Sequence, residues 1–235
     1  ALISRAVTKG LDAHARMKDS GVEWLGEVPE HWEVRRFKQV TEISYGLTLE
    51  LDRTETEGTF ILSLPNVTKE GQLILDDVPK TKIADAEKKY LLLCKGDLLF
   101  NWRNGSPDHV GKTAYFDADG EYIHVSFLLR LRFDSNQFES RYFQMFLNNL
   151  RNTEFFSSAK TRVNKTYNQA ELGRLMVTVP PRDEQRAIAE YLDRETAKID
   201  ALVAKIRDGI ARLREYRGAL IAAAVTGKID VRPHP

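Results

Sequence analysis

The chain has 235 residues, with 35 Lys and Arg against 34 Asp and Glu, a formal net charge of +1 and an isoelectric point near 8.0. At 42 % hydrophobic and 29 % charged it carries enough apolar residues for a core, which excludes a disordered tail, and the balanced charge excludes a polycationic coat but not a local basic site. The single cysteine, Cys94, excludes an internal disulfide and a cysteine-based zinc site and fits a reducing, cytoplasmic setting, while no apolar run approaches the ~18 residues of a membrane span.

The first 31 residues read as irregular, with a helical segment at the start. Residues 1–12 (ALISRAVTKGLD) and 219–230 (ALIAAAVTGKID) agree at seven of twelve positions, at an offset of 218. The start of the chain therefore resembles the end of a unit whose next copy closes near Asp230, as in a tandem array of units of about 218 residues.

Residues 32–180 mix short strand and helix patterns. The spacing of Phe37, Val40 and Ile43 predicts a helix over 35–45, and that of Tyr142, Phe143, Phe146, Leu147 and Leu150 a helix over 139–150. Strands are predicted at Phe60–Leu64, Leu73–Leu75, Leu91–Leu93, Leu98–Trp102 and Tyr122–Phe133, with turns at Glu70-Gly71, Lys95-Gly96-Asp97 and Ala118-Asp119-Gly120. Two segments combine Arg and Lys with Asn, Ser, Thr or Gln and an aromatic: 101–113 (NWRNGSPDHVGKT) and 157–169 (SSAKTRVNKTYNQ). Such side chains reach phosphates and hydrogen-bond to base edges, Arg to guanine and Asn or Gln to adenine. Residues 141–182 hold seven basic against two acidic groups, which points this region toward an anion.

Residues 182–226 contain no proline and read as one helix. Pro180-Pro181 marks its start, Asp183 and Glu184 suit the positive end of its dipole, and Gly227 stops it. Ile188, Leu192, Glu195, Ile199, Leu202, Ile206, Gly209, Leu213, Tyr216 and Leu220 follow one another in alternating steps of four and three, a heptad seam. No second heptad helix exists here to cover it, so the expected partner is another copy of the same unit. Residues 183–200 balance to −3 and residues 201–217 to +3, so an antiparallel pair sets each acidic half against a basic one.

Catalytic signatures are missing from the sequence. Pro180-Pro181 lies between Val179 and Arg182, unlike the Asn/Asp-Pro-Pro-aromatic motif of amino-methyltransferases, and no glycine-rich nucleotide cradle is present. Pro107-Asp108 has no later Asp/Glu-x-Lys to complete a nuclease site, and the five histidines show no ligand spacing. No serine sits in a nucleophile elbow.

KDSGVEWLGEVPEHWEV (Lys18–Val34), KGDLLFNWRNGS (Lys95–Ser106), PPRDEQRAIAEYLDRETAKIDALVAKI (Pro180–Ile206) and REYRGALIAAAVTGKIDV (Arg214–Val231) together resemble the specificity subunit of type I restriction–modification enzymes. The resemblance implies an α+β fold: a mixed α/β target recognition domain over 21–180, then a long coiled-coil spacer helix over 181–227. Residues 1–20 would be the tail of a preceding conserved helix and a linker, and 228–235 a C-terminal tail. It implies one half of a split double-stranded DNA site as the target, a helix pair that sets the spacing, and no catalysis or cofactor in this chain. S-adenosylmethionine would belong to docked methyltransferase (modification) subunits, and ATP and Mg²⁺ to a restriction subunit. The chain would pair as an antiparallel homodimer or with the other half of a longer subunit. Candidate DNA contacts are Arg103, Asn104, Ser106 and Lys112 in the first segment and Lys160, Arg162, Asn164, Lys165 and Asn168 in the second. Trp24, Pro29 and Trp32 are expected to anchor the chain onto the core, and Glu184 and Gln185 to cap the helix or dock subunits. The competing readings are a coiled-coil protein-interaction module and a stand-alone nuclease or methyltransferase.

Overall fold

A computed structural model describes residues 2–48, 55–104, 106, 109–153, 155–156 and 166–229. In chain order the elements are α1 (Leu2–Lys9), β1 (Met17–Asp19), β2 (Glu27–Pro29), β3 (Glu33–Arg36), β4 (Glu42–Tyr45), β5 (Thr59–Leu62), β6 (Lys80–Thr81), α2 (Asp85–Leu91), β7 (Leu98–Asn101), β8 (Thr113–Tyr115), β9 (Tyr122–His124), β10 (Leu128–Arg132), α3 (Ser140–Asn152), α4 (Gln169–Arg174), β11 (Met176–Val179) and α5 (Arg182–Val225). The fold is α+β with a long C-terminal helix. It divides into two compact units, Ala1–Ala189 and Glu190–Pro235. Among the described residues no helix is long and apolar enough to cross a membrane.

The first unit is built around an antiparallel sheet ordered β4-β10-β7-β8. β7 (LLFN) is buried at every position and lies between β10 and β8, which is why its apolar residues run on without alternation. A second sheet, β6-β5-β9, pairs β5 and β9 in parallel, and β11 pairs antiparallel with β3. α3 buries Tyr142, Phe143, Phe146, Leu147 and Leu150, the residues whose spacing predicts it. Its polar face also faces inward in part: Asn148 donates to the Thr113 carbonyl at 2.8 Å, and Gln144 donates to that of Gly71 at 2.7 Å. These bonds satisfy backbone groups that would otherwise be orphaned at the end of the sheet.

α1 belongs to this unit. Ala6 and Val7 are buried, and the Val7 carbonyl accepts from both the Tyr142 and the Thr178 hydroxyl at 2.9 Å. At the other end of the unit, Pro181 leads into α5, its carbonyl accepting from the Glu184 and Gln185 amides. Gln185 is buried, taking the Glu139 amide at 2.9 Å and donating to the Pro180 carbonyl at 2.8 Å. Glu184 meets His31 Nε2 at 2.8 Å. Both side chains thus anchor the start of α5 to neighbouring segments of the first unit. Trp32 and Pro29 are buried, whereas Trp24 is partly exposed, with its ring 4.8 Å from that of Phe155.

Several predicted elements differ. The stretch 35–45 is no helix but a strand, a tight turn and a strand: β3 pairs with β11, Phe37–Gln39 form a 3-10 turn, and β4 pairs with β10. Strand partners far along the chain override a three-residue spacing that also fits a helix. Tyr122–Phe133 is two strands in two sheets, parallel β9 and antiparallel β10, separated by a turn at Val125–Phe127. Leu91 closes α2 and is not in a strand, and of Leu73–Leu75 only Leu73 forms a bridge, to Val67. The hairpin β1–β2 lies in the stretch read as irregular.

The second unit is described as the remainder of α5 and the turn after it. The helix ends in a Schellman-type cap: Gly227 has φ +69°, and the Lys228 amide reaches the Ala223 carbonyl at 2.8 Å.

Candidate nucleic-acid interface

Four chain segments converge at one edge of the first unit: the ends of β4 and β7, the turn between β9 and β10, and the approach to α4. Backbone bonds tie them together. Leu47 donates to the His124 carbonyl and Ser126 to that of Leu47, both at 2.8 Å. Arg103 bridges Thr166, and the Tyr167 amide donates to the Trp102 carbonyl at 2.8 Å. Side chains then fix the turn positions. Trp102 Nε1 donates to the Ser126 carbonyl at 2.7 Å, and the Tyr45 ring meets that of Trp102 edge-on at 5.5 Å. The Gln169 side chain donates to the Ile43 carbonyl at 2.6 Å, and its amide reaches the Tyr45 hydroxyl at 3.3 Å.

This frame presents Arg103. Its guanidinium carbon lies 5.7 Å from the ring centroid of Phe127, which is 44 % exposed. Arg103 is itself exposed and has no carboxylate partner among the described residues. A guanidinium resting on an aromatic face keeps its hydrogen-bonding fork unspent and loses less freedom when it engages a planar acceptor. Phe127 and Tyr45 were not legible as site residues. Phe127 sits inside an apolar run that reads as strand interior, with no Gly or Pro marking the turn.

The other candidates fall into distinct environments. Asn104, half-buried, accepts the Ser106 amide at 3.1 Å and shapes the turn after Arg103. Asn168 is the N-cap of α4, its side chain accepting the Glu171 amide at 3.0 Å while Glu171 accepts its own amide at 2.9 Å. Lys112 is placed elsewhere than a surface contact requires: it is buried, and its Nζ donates to the Val67 carbonyl at 2.7 Å. Burial, helped by Arg151 and Lys69 nearby, pushes its pKa down. Its sequence context is that of a polar loop, but β7 and β8 draw the ends of that loop into the core. Lys160, Arg162, Asn164 and Lys165 lie outside the described residues.

Two further arginines that sequence reading passed over serve the scaffold. Arg132 Nε and a terminal nitrogen grip both oxygens of buried Asp97, at 2.8 and 2.6 Å, and Asp97 holds the guanidinium above its ordinary pKa. Arg130 reaches Glu42 at 3.0 Å and the Tyr90 carbonyl at 2.8 Å. Among the described residues no group of His, Cys, Asp and Glu could hold a metal ion.

The heptad seam divides in two. Ile188 and Leu192 are buried, while Ile199, Leu202, Ile206, Leu213, Tyr216 and Leu220 are 42–68 % exposed in the single chain. Val225, the counterpart of buried Val7 in the sequence repeat, is also exposed.

Comparison with known proteins finds the profile of the type I restriction modification DNA specificity domain over residues 29–212. The chain is 32 % identical over 213 residues to the type I restriction enzyme MjaX specificity subunit of Methanocaldococcus jannaschii, covering 86 % of this chain and 47 % of that one. It is 25 % identical over 211 residues to the type I restriction enzyme EcoKI specificity subunit of Escherichia coli K12, covering 87 % and 44 %. The fold is shared with the HsdS subunit from Thermoanaerobacter tengcongensis, at a TM-score of 0.58 and 20 % identity over 85 % of this chain and 43 % of that chain. The chain thus spans about half the length of the proteins it matches.

Proposed function

Because the chain belongs to the type I restriction–modification DNA specificity family, we propose that it reads one half of a bipartite double-stranded DNA site and is the non-catalytic, cytoplasmic recognition part of a larger complex. The observation that supports this most is Arg103, a guanidinium with no carboxylate partner among the described residues, laid on exposed Phe127 where four segments converge. In the reading proposed, Arg103 meets a guanine edge in the major groove, and Asn104 and Ser106 hold the turn that aims it. Asn168, with Lys160, Arg162, Asn164 and Lys165, extends the contact to neighbouring bases and phosphates. Lys112 has no part in it, since its ammonium is bonded inside the fold.

The exposed seam of α5 is assigned to an antiparallel partner, either a second copy or the other half of a longer subunit. Its charge halves, −3 and +3, favour that orientation. Exposed pairs contribute only about 0.2–1 kcal/mol each, so they select orientation while the apolar seam supplies stability. Modification subunits, carrying S-adenosylmethionine, would dock on this helix pair, and a restriction subunit with ATP and Mg²⁺ would complete the complex. This chain's own task is to bind and orient the duplex.

The test is a fluorescence-anisotropy titration of duplex DNA with the full chain, alone and with modification subunits, on pools that differ at one base pair at a time. Arg103→Ala is expected to cost about 1–3 kcal/mol at one G·C position and little elsewhere. A uniform loss across all sequences would reduce Arg103 to a phosphate contact.

A further inference from the structure

A cleft of about 460 Å³ opens on the first unit between the 3-10 turn at Phe37–Gln39, the start of β4 and α4, and Lys38 and Arg174 both line it. α4 packs against the turn here: a Cβ built on Gly173 would stand in ordinary contact with Lys38 Cβ, at 3.4 Å. Both cations are exposed, as is Arg36 beside them, and none has an acidic partner among the described residues. The lining carboxylate, Glu42, is already engaged by Arg130 at 3.0 Å. Arg174 suits the C-terminal end of the α4 dipole, but Lys38 and Arg36 lie on other elements, so capping does not account for the cluster.

The cleft continues the surface that carries Arg103. Gln169 lines it and, from the first turn of α4, holds Tyr45 and Ile43 of β4. α4 has six residues, so Arg174 lies about 9 Å along the helix from Asn168. That is two to three base steps, at ~3.4 Å of rise per nucleotide of one strand. We propose that Lys38 and Arg174, with the second amide hydrogen of Gln169 as a neutral donor, grip the sugar–phosphate backbone of the duplex flanking the half-site. The inference rests on the DNA-reading function proposed above and extends it to residues outside both polar loops. Such a grip supplies affinity and register but no base discrimination.

The experiment pairs Lys38→Gln/Arg174→Gln with Lys38→Arg/Arg174→Lys in the full chain. Anisotropy on duplex DNA is followed from 50 to 200 mM salt, beside a selection of bound sequences. Two lost phosphate contacts make the plot of log affinity against log salt shallower by about 1.8, so the fourfold salt rise costs the Gln pair roughly tenfold less affinity than it costs the wild type. The Arg/Lys swap keeps the wild-type slope, and the selected sequence is the same in all three. A wild-type slope and affinity in the Gln pair, with Arg103→Ala still altering discrimination, overturns the cleft and leaves the reading surface standing. Loss of modification-subunit assembly with unchanged DNA binding overturns it in favour of a protein partner. No duplex binding by the wild type, alone or with modification subunits, overturns both proposals.

Discussion

Acidification is expected to loosen the candidate interface through one residue, His124. It ends β9, is fully buried, and its carbonyl holds Leu47 while the turn that follows presents Phe127. Burial, reinforced by the nearby Arg130 guanidinium, lowers its pKa to about 4, against 6.5 for a free imidazole. Its Nδ1 lies 3.3 and 3.2 Å from the carbonyls of Val125 and Leu128, and Nε2 has no hydrogen-bond partner among the described residues. Those carbonyls favour the charged ring, as Asp97 does more weakly, but burial outweighs them. Between pH 6.5 and 4 the unfolded chain binds a proton that the native state refuses, so stability is full above 6.5 and falls as the pH drops. Integrated over that window the loss is about 3 kcal/mol, most of it already felt between pH 7.5 and 4.5. Urea unfolding followed by tryptophan fluorescence measures it, since Trp24, Trp32 and Trp102 all lie in the first unit. Carboxylates titrate in the same range, so the quantity to compare is wild type minus His124→Gln at each pH. That difference should shrink by roughly 2–3 kcal/mol as the pH falls across the range. Parallel pH profiles for the two proteins would refute the assignment.

Gly46→Ala is expected to lower the thermal midpoint of the first unit and weaken duplex binding together, because a Cβ there collides with the His124 carbonyl oxygen and stands 2.6 Å from that of Val125; an unchanged midpoint contradicts the packing described. Phe127→Ala should erode discrimination at the same base pair as Arg103→Ala, by a smaller factor, while Phe127→Tyr retains it; equal losses at every position would mean that the ring does not orient the guanidinium. Leu202→Glu with Ile206→Glu should convert a dimer to a monomer by light scattering without moving the melting of the first unit, and a persisting dimer mass would remove the seam from the interface.

What the sequence disclosed follows from the range of the interactions involved. α5 was legible to within a residue or two because its signals are local: Pro181 before it, Asp183 and Glu184 in the first turn, and Gly227 after it. α3 was legible for the same reason. The stretch 35–45 was misread because β3 and β4 owe their conformation to β11 and β10, respectively about 140 and 90 residues away. Arg103 could be singled out as a basic residue in a polar loop. Phe127 and Tyr45 could not, since only the packing of four segments gathers them at that edge, nor could Lys38 and Arg174, which the fold brings to one cleft from separate elements. Lys112 shows the converse: a lysine in a polar context whose ammonium the fold turns inward to the Val67 carbonyl. The near-zero net charge dissolves likewise into parts, an acidic stretch at 41–80, a basic stretch at 141–182 and two opposed halves of one helix.

The central claim is sequence-specific reading of half a DNA site. A randomised duplex pool, equilibrated with the full chain and its modification subunits and sequenced after several rounds of capture, tests it most directly. The account predicts enrichment of a short block of base pairs, repeated in inverted orientation at a fixed spacing where two copies pair, with a G·C pair that disappears in Arg103→Ala. Retention of DNA without enrichment of any block would contradict it.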